Sequence, residues 1–157
     1  MVGMNTIILV DPKIPQNTGT IARLCAATMS RLILVGSLGF SLEDKYLKRA
    51  GLDYWNYVDW VHWPGYTEFF SFMEAHQSQA FLLSSKASVP YTDVGYASSS
   101  VLVFGSETHG LSDDIKGRFS TQLVTIPMMS PHVRSLNLAN SVSIVLYEAL
   151  RQQMALS

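Results

Sequence analysis

A single cysteine, Cys25, stands in this chain of 157 residues. An intramolecular disulfide framework and a cysteine-built zinc site are therefore excluded. Charge is scarce as well. Only 15% of residues are charged, and 11 Lys and Arg against 12 Asp and Glu leave a net charge of -1. The basic excess usual in nucleic-acid binders is missing, although net charge does not decide local patches. No apolar run approaches the roughly 18 residues of a membrane span; the stretch 141–147 stops far short. Nothing basic precedes Lys13, and the first apolar run, 7–10, is too short for the core of a secretory signal. Repeats, low-complexity tracts and linkers are also absent. Disorder does not fit a hydrophobic content of 48%, because disordered chains combine low hydrophobicity with high net charge. The expectation is one cytoplasmic domain over residues 1–157, long enough to bury about two-thirds of its unfolded surface.

What is present alternates between two periods. TIILV at 6–10 is a run of β-favouring residues ended by Asp11-Pro12, and it predicts a strand buried on both faces. A helix is expected from Asn17 or Thr18, both good caps, with Ile21, Leu24, Cys25 and Thr28 at helical spacing. RLILV at 31–35 predicts a second strand, and 41–49 a short helix with a capping box over 41–44. An edge strand is expected at 57–62, and a helix from Tyr66, Phe69, Phe70 and Met73. Further strands are expected at 80–83, 101–104 and 123–126, and a long helix at 138–154. Strands alternating with helices predict an α/β fold, a mostly parallel sheet flanked by helices. Ligands in such sheets bind beyond the carboxyl ends of the strands. The loops 11–17, 84–88, 105–111 and 127–137 are thus the places to look. The apolar surplus also suits an oligomer, and Trp55, Trp60 and Trp63 suit either a core or an interface.

The loop 105–110 carries two glycines, but Leu111 stands where a phosphate-binding loop would have its lysine, and G-x-G-x-x-G is absent. Kinase, GTPase and standard NAD chemistry are disfavoured. No G-x-S-x-G elbow and no H-x-x-x-H pair occur. Cys25 lies on an apolar helix face and reads as core. Asn17-x-Gly19-x-x-x-Arg23 places a cation near the first helix, either salt-bridged or aimed at developing negative charge. Arg134, Ser135, Asn137 and Asn140 cluster at the start of the last helix, more polar groups than capping alone requires. Lys45, Lys48 and Arg49 share one helix face, either solvated or contacting phosphate.

Taken together and in order, these motifs resemble a known family. Asn17-x-Gly19-x-x-x-Arg23 is followed by Phe104-Gly105-x-Glu107-x-x-Gly110-Leu111. Ile126-Pro127-Met128 and Ser135-Leu136-Asn137-Leu138-x-Asn140-x-Val142-x-x-x-x-Tyr147-Glu148 complete the set. The series is similar to that of the SPOUT-superfamily RNA 2′-O-ribose methyltransferases. Asp44-Lys45-x-Leu47-x-Arg49-Ala50-Gly51-Leu52-Asp53-Tyr54 resembles their TrmL-type branch, which acts on the wobble nucleotide of tRNA. His109 departs from the pattern, standing where arginine is common.

The resemblance implies a C-terminal trefoil knot, S-adenosylmethionine as methyl donor, no metal, and a homodimer with each site near the partner chain. It implies no separate RNA-binding domain. The substrate would be cytidine or modified uridine at position 34 of tRNA, in leucine isoacceptors. Alternatives are another RNA such as rRNA, or a non-catalytic RNA-binding dimer. Leu83, Gly105, Ile126, Ser135, Leu136 and Leu138 match donor-contacting positions. Asn17, Gly19, Glu107, Gly110 and Asn140 match loop-organising ones. Arg23 matches the proposed catalytic arginine, with Ser135 and Asn137 placed to hold the ribose hydroxyl. A guanidinium keeps its proton in proteins, so Arg23 would stabilise the ribose oxygen rather than act as a base. Lys45, Lys48, Arg49, Arg134 and Tyr147 are the expected RNA contacts; an aromatic at 147 suits base stacking, a dimer contact or the core.

Overall fold

The computed structural model describes residues 3–156, with the side chains of 51–53 and 156 outside the description. Gly51, Leu52 and Asp53 of the tRNA-type motif therefore carry no side-chain account. Six strands form one parallel sheet: β1 (Thr6–Val10), β2 (Arg31–Val35), β3 (Trp60–Trp63), β4 (Ala80–Leu83), β5 (Val101–Phe104) and β6 (Leu123–Val124). Their spatial order is β3-β2-β1-β5-β4-β6. Five α-helices among the described residues cover it: α1 (Pro15–Thr28), α2 (Lys45–Gly51), α3 (Thr67–Ala75), α4 (Asp113–Arg118) and α5 (Leu138–Leu156).

The period of two in TIILV decides which layer each side chain joins. Ile7 and Leu9 enter the core under α1 and α5, with Ile21, Val142 and Leu146. Ile8 and Val10 enter the opposite core under α3 and α4, with Phe69, Met73 and Ile115. Both layers are closed, so the central strands read as continuous apolar runs. Cys25 is fully buried, and burial pushes its thiol up to about 12. A thiol so held is inert.

Several boundaries differ from the sequence expectation. α1 opens at Pro15 after Ile14, which has extended backbone, so neither Asn17 nor Thr18 caps it. Proline at the first helical position needs no N–H partner, and this frees the Asn17 side chain. The 41–44 segment is a turn; Asp44 caps α2, its Oδ1 accepting from the N–H of Tyr46 at 2.7 Å. The edge strand β3 is shifted to Trp60–Trp63. β6 keeps only Leu123–Val124, because Thr125 turns aside to pair with Pro90.

The end of α5 is tied to the start of β1 by a buried amide pair. Asn5 Nδ2 donates to Gln153 Oε1 at 3.0 Å, and Gln153 Nε2 donates back to Asn5 Oδ1 at 2.9 Å. Gln153 also donates to the Ala97 carbonyl, and the Ser100 N–H donates to Asn5 Oδ1. Replacing Gln153 with alanine strands the Asn5 amide in the interior. The expected loss is about 1–3 kcal/mol of stability, read from the urea midpoint at constant slope.

Candidate active site

The carboxyl ends of β1, β5, β4 and β6 deliver four loops to one side of the sheet. The order of connection reverses between β1 and β5, which is where parallel sheets open a crevice. A pocket of about 950 Å³ lies there. Leu83, Gly105, Ile126, Ser135, Leu136 and Leu138 all line it. Asn17, Glu107, Gly110, Arg134 and Asn137 line it too.

The loop after β5 folds back on itself through paired bonds between Ser106 and Gly110, 3.3 Å and 2.9 Å. A Cβ on Gly105 would collide with the backbone of Gly110 and Leu111. Gly110 takes φ +66°, a left-handed conformation suited to glycine. The hairpin thus presents Glu107 to the loop after β1. One carboxylate oxygen accepts from the Lys13 N–H at 2.9 Å, and the other from the Ile14 N–H at 2.6 Å and Asn17 Nδ2 at 3.4 Å. Glu107 serves the two backbone N–H groups just before α1, which no side-chain cap supplies.

The chain of bonds continues across the pocket. Asn137 Nδ2 donates to Asn17 Oδ1 at 3.0 Å, while Asn137 Oδ1 accepts from the Asn140 N–H at 3.1 Å and so caps α5. Three loops far apart in sequence are joined through Glu107, Asn17 and Asn137. A further clamp holds the 11–14 segment. Asp11, itself at φ 53°, accepts from the Tyr66 hydroxyl at 2.7 Å and the Ser37 N–H at 2.9 Å. Tyr66 is pushed up to about 12 by that bond to the Asp11 carboxylate.

Other expected residues lie elsewhere. Arg23 is exposed on α1 outside the pocket lining, its guanidinium 5.4 Å from the centre of the Tyr54 ring. Gly19 is buried in α1, and the Asn140 side chain faces solvent. Lys45, Lys48 and Arg49 are exposed on α2. Tyr147 is 52% exposed on α5, which removes it from the core. The pocket also includes residues the motifs did not single out. Lys86 and Lys116 line it beside Arg134, although Lys116 is paired with Asp113 at 3.4 Å. The serine-rich 84–88 loop was the signal for Lys86; nothing in the sequence marked Lys116.

The lining combines apolar walls with polar groups, as small-molecule sites do. Leu83, Ile126 and Leu138 supply apolar walls, and the pocket volume falls within the roughly 300–1,000 Å³ of small-molecule sites. The missing side chain at Gly105 is what lets the Gly110–Leu111 backbone close against it at the pocket wall. Among the described residues, no group of three or more His, Cys, Asp or Glu is placed to hold a metal. No helix among them is long and apolar enough to cross a membrane.

Comparison with known proteins places the same segments in one family. Residues 4–147 match the SpoU rRNA Methylase family. A tRNA (cytidine(34)-2′-O)-methyltransferase of Methylovorus glucosotrophus is 45% identical, over 95% of this chain and 96% of its own. A structure solved to explain 2-OH methylation of C/U34 on tRNA superposes with a TM-score of 0.85 at 39% identity, covering 96% of both chains. The SpoU methyltransferase AviRb from Streptomyces viridochromogenes, crystallised with AdoMet, gives a TM-score of 0.86 at 25% identity over 99% of this chain and 60% of that one.

Proposed function

The chain belongs to the SpoU rRNA methylase family, and from that premise we propose that it transfers a methyl group from S-adenosylmethionine to the ribose 2′-oxygen of nucleotide 34 in tRNA. The observation that carries this reading is the convergence of Glu107, Asn17 and Asn137 on one pocket also walled by Leu83, Gly105, Ile126 and Leu138. Relatives with names of this activity match nearly end to end.

Leu83, Ile126 and Leu138 hold the donor's adenine, with Gly105, Leu136 and Ser135 supplying close backbone and polar contacts. The donor brings an already activated methyl group, so positioning supplies much of the rate. Ser135 and Asn137 orient the ribose hydroxyl. Its proton leaves to water as the oxygen–methyl bond forms and the sulfur–methyl bond breaks. Arg23 stabilises the charge developing on that oxygen. Glu107, Asn17, Gly19, Gly110 and Asn140 organise the loops.

The working unit in this reading is a cytoplasmic homodimer built on the α1 and α5 layer, where Met29 remains exposed. The 127–137 segment crosses from β6 back to a helix packed on α1, a path suited to the trefoil knot. Lys45, Lys48, Arg49 and Arg134 contact RNA phosphates. Tyr147 stacks on a splayed base. Tyr147→Ala is expected to weaken tRNA binding several-fold, by about 1 kcal/mol or more, whereas Tyr147→Phe retains affinity; filter binding compares them.

The test of the activity is transfer of label from S-adenosylmethionine into total tRNA lacking the wobble methyl group, followed by nuclease mapping. Label on the ribose of nucleotide 34 is the expected result, and the labelled isoacceptors, leucine tRNAs expected, identify themselves. Label in rRNA alone would overturn the substrate while keeping the chemistry. No donor binding would favour a non-catalytic RNA-binding dimer.

A further inference from the structure

A second cleft, about 730 Å³, opens away from the donor pocket, and none of its lining residues is shared with that pocket. Leu47, Trp55 and Trp60 line it, together with Lys48, Arg49 and Glu43. Trp55 and Trp60 meet edge to face, ring centres 5.3 Å apart. Trp60 is 37% exposed and sits on β3, the last strand at its edge of the sheet. A large aromatic left open there is costly to hydrate. The Trp55 indole N–H is buried and has no hydrogen-bond partner among the described residues. A buried donor without a partner carries a desolvation penalty.

The rim is cationic. Arg49 is exposed and has no ion pair among the described residues. Lys48 pairs with Glu43 at 2.8 Å, but both side chains are more than half exposed. A pair so hydrated contributes little, so Lys48 is available to a stronger anion. A flat aromatic surface and two cations at the rim are complementary to one kind of partner: an unpaired nucleotide with its phosphate.

We propose that this cleft binds an unpaired nucleotide of the substrate RNA, its base stacked on Trp60 and its phosphate held by Lys48 and Arg49. The proposal rests on the RNA methyltransferase reading above. It adds a site separate from the donor pocket, and it assigns two tryptophans that the basic helix face alone does not include.

The test compares wild type, Trp60→Ala and Trp60→Phe in binding to total tRNA lacking the wobble methyl group. Trp60→Ala is expected to bind tRNA about tenfold more weakly, and Trp60→Phe to recover most of the loss, since stacking needs only an aromatic face. S-adenosylmethionine affinity stays as in wild type for both. Equal tRNA affinity in all three overturns the proposal. So does conversion of a wild-type dimer to a monomer by Trp60→Ala, which would make the cleft a contact between copies. If Trp60→Ala does not fold, photo-cross-linking of wild type to 4-thiouridine-substituted tRNA decides: adducts on the peptide containing Trp55 and Trp60 support the site, and adducts only elsewhere overturn it. Failure of the wild type to methylate any RNA is a separate result, which strikes the parent reading.

Discussion

Glu107→Ala is expected to lower kcat/KM by about two orders of magnitude. The side chain takes three donors at once: the N–H groups of Lys13 and Ile14, and the Asn17 amide. Each donor left unpaired costs about 1–3 kcal/mol when buried. The site is partly open, so water recovers part of that. A net loss of about 2–3 kcal/mol converts to roughly 30–150-fold. The effect spreads, because Asn17 also accepts from Asn137, and Asn137 caps α5. Loosening Glu107 thus loosens the loop before α1 and the start of α5, which form two sides of the donor pocket. The expected signature is weakened S-adenosylmethionine binding by calorimetry along with slower turnover. Glu107→Gln keeps the shape and one acceptor, and should fall between wild type and alanine. Wild-type donor affinity in the alanine variant would show that the pocket does not depend on this bridge.

The sheet was legible in the sequence because its signals are local. TIILV and RLILV are apolar on both faces, and they form β1 and β2, neighbouring interior strands that the two helical layers cover. Element ends were less legible. Asn17 has the composition of a cap, yet Pro15 starts α1 and Asn17 turns to the pocket. That choice is made by Glu107, ninety residues away, and no local period reports it. The motifs named the loop residues without saying which would meet. Glu107 reads as a polar residue in a glycine loop, and its work for the backbone of another loop is visible only in three dimensions. Trp55, Trp60 and Trp63 were divided in the same way. Trp63 packs against the α3 side of the core, whereas Trp55 and Trp60 line a cleft. Spacing along the chain did not distinguish them, because the edge strand begins at Trp60 rather than at residue 57.

Arg23→Ala is expected to reduce turnover by about 10²–10³-fold, the usual cost of removing one group that stabilises a developing oxyanion, while S-adenosylmethionine affinity remains that of wild type. Helix geometry adds a condition on how Arg23 acts. Six positions beyond Asn17, it lies about 9 Å along α1 and about 240° around its axis. Asn17 faces the pocket, so Arg23 faces away from it, out over Tyr54. An arginine so placed serves catalysis only if a second chain brings its own pocket to it. Mixed dimers test this directly. In a dimer of one Arg23→Ala chain and one Glu107→Ala chain, sharing across the interface leaves one complete site. Random assortment then restores about a quarter of wild-type turnover, since half the dimers are mixed and each has one working site of two. If each chain served its own pocket, neither site would be complete and the mixture would stay at the level of the separate variants. That second outcome would return Arg23 to a structural role, packed from α1 against Tyr54, and would remove the reason for placing the active site at a dimer interface.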